Sequence, residues 1–244
     1  MPLALGQNAF DVVLLVLTIA VLPALSAFMG VRLAKRPGSL VSRYWQTMAR
    51  GWLMIALLAI DWNRSGRSIA ALGLDIPVGA YGLCGLIVVA GATLFLAVML
   101  LNLRVFIKPA RYRGLREQMR EMKILPRTTR ELLVFLPVAV TAGIWEELLF
   151  RGFLIWFLAP YAGVIGAVAI ATLAFGLGHV YQGWRGIPRT GVIGLILAVA
   201  YIASGSLWWV MAVHALLDLY GGLLAWRISQ MPEAAQPTQI AGAT

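Results

Sequence analysis

Cysteine is almost absent: Cys84 stands alone in 244 residues. A lone thiol makes no internal disulfide and no thiolate metal cluster, so its compartment stays open and its role is read as small-residue packing in an apolar stretch. Charge is scarce too. Only 12% of residues are charged against 61% hydrophobic, and the mean hydropathy of +0.84 excludes a soluble globular domain. The net charge of +10 does not make so apolar a chain a nucleic-acid binder, because membrane topology governs where its cations lie. Histidine is limited to His179 and His214.

Apolar runs fill the space that charge leaves. A helix needs about 20 residues to cross the hydrocarbon core, and candidate spans lie near 12–33, 78–103, 131–158, 163–180 and 207–226. Two shorter ones lie at 47–62, with Arg50 at one end, and at 190–203. The first has no basic residue before it and no small-residue cleavage pattern behind it, so it is read as a retained span and not a signal peptide. Alternate connecting segments hold 17 Lys and Arg, while the opposite loops hold only Arg64 and Arg67. The positive-inside rule then puts the N-terminus outside and the C-terminus in the cytoplasm. The prediction is an all-α polytopic bundle of about seven transmembrane helices plus a basic cytoplasmic interfacial helix.

The basic run 104–130 reads first as a solvated cytoplasmic helix that enforces topology, and alternatively as a helix lying on the membrane surface, with Leu115, Met119, Met122 and Ile124 toward lipid and the cations toward anionic head groups. Three regions are expected: spans and basic segment over 1–130, a helical core over 131–228, and a tail over 229–244. The tail is small, polar and proline-containing, and reads as disordered. The compact length and the lack of an organelle-targeting extension favour a bacterial inner membrane.

Ionisable groups inside a span cost about 2.5 to 3.5 kcal/mol each on insertion scales, so each one suggests function. The run AGIWEELLFRGFL places Glu146, Glu147 and Arg151 inside the fourth span. Glu147 and Arg151, four apart, share a face and form an ion pair, while Glu146 points about 100° away. An unpaired, poorly solvated carboxylate is suited to take a proton from water. His179 closes the run FGLGH in the fifth span, and His214 lies in the seventh with Asp218 one turn later. Each group alone has a plain structural use: an ion pair, an interhelical hydrogen bond, a His–Asp couple. Together they are nearly all the titratable groups within the spans, which points to convergence around water. Along the expected spans Glu146, His179 and His214 lie about 18, 25 and 10 Å from the outer face at ~1.5 Å per residue. Meeting therefore requires tilt, shifted boundaries or a kink at Pro137.

In order, the motifs are EExxxR (Glu146, Glu147, Arg151), FxxxH (Phe175, His179) and HxxxD (His214, Asp218). This pattern resembles the CPBP family of intramembrane proteases, also called Abi, which includes type II CAAX prenyl endopeptidases and bacteriocin-processing or immunity proteins. The resemblance covers roughly residues 130 to 226. It implies that Glu146 and His179 activate the attacking water and that His214 with residue 218 forms the oxyanion site. Asparagine is common at that last position; Asp218, when ionised, donates no hydrogen bond, so its expected part is to orient and charge His214, or it is itself protonated. The implied activity is hydrolysis of a membrane-associated or lipidated, CAAX-like peptide. No cofactor is assigned, and a divalent metal such as Zn²⁺ held by two His and a Glu stays open beside a water held alone.

HExxH is absent, as is GxGD, and Ile202 breaks a rhomboid-like GxSG at Ser204 and Gly205. A non-catalytic scaffold or immunity protein of the same fold has no need of Glu146. A proton-coupled carrier would use the carboxylates as a relay, but the chain has no evident internal repeat. The expected partners are a peptide or membrane-protein substrate and the bilayer, with no nucleic acid.

Overall fold

The computed structural model describes residues 4, 6–35, 38–76, 78–102, 114–119 and 122–231. Helices α1 (Ala9–Val16) and α2 (Leu22–Lys35) are joined through a π-helical turn at Leu17–Val21. They are followed by α3 (Leu40–Arg64), α4 (Gly79–Leu101), α5 (Thr129–Glu147), a second π-helical turn (Leu148–Phe153), α6 (Leu154–Gly178), α7 (Gly186–Ser204) and α8 (Leu207–Gln230). Among the described residues there is no strand. Among the described residues five helical stretches are long and apolar enough to cross a membrane: Ala9–Arg32, Gly79–Leu101, Thr129–Gly178, Gly186–Ser204 and Leu207–Gln230. The chain is an integral membrane protein built as a helical bundle.

The fourth and fifth expected spans fall within the single 50-residue stretch Thr129–Gly178. That stretch is not straight. Phe150 and Phe175 would lie about 37 Å apart on one continuous helix, yet their ring centroids are 5.2 Å apart. The chain turns back at Gly163, whose φ of 66° and ψ of 168° suit glycine far better than any residue with a Cβ, three residues after Pro160, which lacks the helix-continuing N–H. The shorter expected span at 47–62 lies within α3, a 25-residue helix that also carries Arg43, Arg50, Asp61 and Arg64 and is not among the five.

Neighbouring helices approach closely where side chains are small. A Cβ on Gly143 of α5 would sit 2.9 Å from the backbone of Met211 and Ala215 in α8, so these antiparallel helices touch nearly backbone to backbone. Trp145 fills the space over Gly51, which brings α3 alongside α5. The α4 helix rests on α8 through Gly85 and Trp209 and leaves Leu86, Ile87, Leu94 and Phe95 exposed, as suits a helix bathed in lipid.

At one end of the bundle a capping box starts α1: the Asn8 side chain accepts from Phe10 and Asp11, and Asp11 accepts from the Asn8 N–H. Asp11 and Asp61 both bind Arg67, at 2.7 and 3.0 Å, and the Arg67 guanidinium lies 5.0 and 4.8 Å from the Trp62 and Trp156 rings. At the other end, Ser229 and Gln230 of α8 donate to the Arg127 carbonyl, and Tyr44 of α3 donates to Ile124 O. The basic run behaves differently from expectation. Residues 103–113 and 120–121 lie outside the described residues, but Met119, Met122 and Ile124 pack against a buried cluster that includes Tyr44 and Phe135. Leu115 packs against Leu224 and Ile228. The apolar side chains expected in lipid instead close one end of the bundle. The helix α8 runs to Gln230, two residues past the expected boundary, and the tail from 232 lies outside the described residues.

Candidate functional site

Four elements deliver the ionisable groups. The α5 helix is started by Thr128, whose side chain accepts from Glu131 N while Glu131 returns the bond, and it ends at the adjacent carboxylates Glu146 and Glu147. The π-helical turn beginning at Leu148 carries Arg151; such one-turn insertions in a helix recur at functional sites. The α6 helix ends just before His179, and α8, capped by Ser206, carries His214 and Asp218.

Glu147 is fully buried and holds two cationic or polar groups at once. Arg151 donates to its Oε1 at 2.8 Å, and His214 Nδ1 lies 2.6 Å from the same oxygen. Arg151 also donates to the Gly194 carbonyl at 2.9 Å and lies 4.2 Å from the centroid of the Phe175 ring. The ion pair expected between Glu147 and Arg151 is present. The partner expected for His214 is not the one found at close range: Asp218 Oδ2 lies 3.8 Å from Nε2, while Glu147 takes Nδ1. Residues 147 and 214 are 67 apart, so no spacing in the sequence signals this contact.

Hydrogen-bond partners assign both imidazoles. His179 Nδ1 is 2.8 Å from the Phe175 carbonyl, which only accepts, so Nδ1 carries the proton and Nε2 keeps its lone pair. His214 Nδ1 faces a carboxylate and is likewise the donor. Both rings therefore turn Nε2 toward Glu146, whose Oε2 lies 3.7 Å from His179 and 3.9 Å from His214. That oxygen is buried and makes no hydrogen bond. Glu146, His179 and Asp218 all line a cavity of about 350 Å³ bounded by α2, α3, α5 and α8.

The unequal depths expected along the spans have a structural cause. A Cβ on Gly152 would lie 3.0 Å from Leu207, at the start of α8. Glu146 precedes Gly152 by about 9 Å of helix and His214 follows Leu207 by about 10 Å, so the two are level. The α5–α6 hairpin overshoots α8 by the ten or so residues that run on to its turn at Gly163, where Tyr161 donates to Gln7 and Gln7 to the Phe157 carbonyl. Span ends are not coplanar, and the Pro137 kink is not needed.

Residues 128–220 match the family described as Type II CAAX prenyl endopeptidase Rce1-like. This match, over part of the chain, supports the CPBP family of CAAX-type membrane proteases. It begins at the cap of α5 and ends two residues past Asp218, so it contains all seven motif residues. No curated protein and no solved structure gives a match. The family resemblance seen in the motifs is thus supported, and that family is one of proteases. As for a metal, among the described residues no group of three or more His, Cys, Asp or Glu side chains is spaced to hold one.

Proposed function

We propose that this CPBP protein is an intramembrane endopeptidase that hydrolyses a peptide bond near the end of a lipidated, CAAX-like peptide, with Glu146 as the base on water. The observation that carries the proposal is the meeting of an unpartnered buried carboxylate oxygen with two Nε2 atoms at the wall of a largely apolar cavity. Acceptors 3.7 Å apart can share one water, each at about 2.8 Å. Such a water donates one hydrogen bond to Glu146 Oε2 and one to His179 Nε2, which leaves its lone pair free to attack.

As the water oxygen bonds to the peptide carbonyl carbon, Glu146 takes its proton. His214, protonated on both nitrogens in this step, keeps Nδ1–H on Glu147 and offers Nε2–H to the carbonyl oxygen as it becomes an oxyanion. Glu147, braced by Arg151, balances the imidazolium charge and fixes the ring. When the C–N bond breaks, the proton on Glu146 passes to the departing nitrogen. The products are a carboxylic acid and an amine, and the enzyme groups are restored. Asp218, on the cavity side of His214, supports the same imidazolium, and no step calls for a metal.

Orientation belongs to this proposal. The end bearing Arg127, Arg130, Arg185 and Arg227 faces the cytoplasm of a bacterial inner membrane, with the cations of 104–130 near anionic lipid. The cavity then takes substrate from the cytoplasmic side. The test is cleavage of a lipidated peptide by the purified protein in liposomes, read by mass spectrometry. Wild type is expected to give two defined products and His179→Ala none; equal cleavage by both rejects the proposal.

A further inference from the structure

The cavity next to Glu146 contains a cation that the hydrolytic steps do not use. Arg50 of α3 lines it together with Thr47, Ser26 and Met29. Its guanidinium contacts Gln46 O at 3.3 Å, Thr47 Oγ1 at 3.2 Å and Met29 Sδ at 2.9 Å. Among the described residues no carboxylate pairs with it. Ser26 Oγ, from α2 on the same wall, is buried and has no hydrogen-bond partner.

A half-buried guanidinium without an anion and a buried hydroxyl without a partner are both costly to leave unmet. Their placement in one cavity indicates a ligand that supplies the missing acceptors. Gly51, next to Arg50, packs under Trp145, next to Glu146, so the cation stands across the cavity at the level of the reacting groups. We infer that Arg50, assisted by the Ser26 and Thr47 hydroxyls, binds the C-terminal carboxylate of the peptide substrate, an inference that rests on the hydrolytic reading above.

Three features select this anion. A planar guanidinium matches a carboxylate with two parallel hydrogen bonds. At about 350 Å³ the cavity is at the small end of ligand sites, so it suits the end of a chain better than a chain passing through. Glu146 and Asp218 occupy one side, so their charge repels a carboxylate toward Arg50 and leaves the scissile carbonyl beside the base. Arg50 thereby acts as a ruler that counts residues back from the peptide terminus.

The test uses two lipidated peptides of one sequence, ending in a free carboxylate or in an amide, with wild type, Arg50→Gln and Arg50→Lys in liposomes. For wild type, amidation is expected to raise KM about tenfold or more, the scale of one charge-assisted hydrogen bond, with kcat changed far less. In Arg50→Gln the acid is expected to show the same raised KM and the acid–amide difference to vanish; Arg50→Lys should recover part of it. If wild type treats both peptides alike, or Arg50→Gln keeps the full preference for the acid, the inference is overturned while hydrolysis stands. If wild type cleaves neither peptide, the hydrolytic reading fails and this one with it.

Discussion

Among the described residues the bundle holds two buried groups of charges, and they are built on opposite principles. In the first, Asp11 and Asp61 share Arg67, Asn8 donates to both carboxylates, and two tryptophans cover the guanidinium. Every charge there is answered. In the second, Arg151 and His214 both meet Glu147 Oε1, while Glu147 Oε2 and Glu146 Oε2 are left over and Glu146 lines a cavity. Complete pairing makes a clamp between α1 and α3; an unpaired acceptor on the cavity wall beside two imidazoles makes a place for water. In a membrane protein the partner count separates structural charge from chemical charge, since both kinds carry the same insertion cost.

Substitutions that remove partners test this contrast, and the largest effect is expected for Glu147→Gln. It strands a buried arginine and releases His214, so thermal stability should fall by about 3 to 5 kcal/mol and cleavage by a hundredfold or more. A melting temperature equal to wild type would contradict the central place given to Glu147. Next is Arg67→Gln, which leaves two carboxylates in the clamp without their cation. Stability should drop by a similar ~3 to 5 kcal/mol, while kcat per folded molecule stays within about twofold, the scatter of separate sites; a large loss of kcat would join the two clusters functionally.

A smaller loss is expected for Gly143→Ala, where the new methyl meets the α8 backbone 2.9 Å away. Overpacking of that kind costs about 1 to 3 kcal/mol and shifts His214 relative to Glu146, so activity should fall along with the melting temperature. Unchanged values for both would mean that α5 and α8 can separate freely. Smallest of all is the effect of chelation: cleavage by protein shown metal-free by elemental analysis should match the untreated rate, and activity that returns only with added Zn²⁺ would require a metal in place of the proposed water step.

Much of this contrast was legible in the sequence. The helical class, the spans and the separation of Glu146 from the Glu147–Arg151 pair follow from apolar run length and the 100° helical step. What the sequence hides is contact between distant residues. Asp11 lies inside an apolar run and meets its cation 56 residues later, and the bond from His214 to Glu147 has no local signature. The reversal at Gly163 is announced by Pro160 and glycine, but how far that hairpin projects beyond α8 is set by packing on Gln7 and Leu72. Apolar side chains in the basic run fit lipid and protein equally well by composition; only the bundle's open end, lined by Tyr44 and Phe135, decides between them.

The most direct test of the central claim is the single-turnover cleavage rate of Glu146→Gln, measured well below a melting temperature shown to equal that of wild type and with the same lipidated peptide. The variant keeps the shape of the site and removes the base, so the rate is expected to fall by about 10² to 10⁴-fold while the fold is unchanged. A rate within threefold of wild type would contradict it.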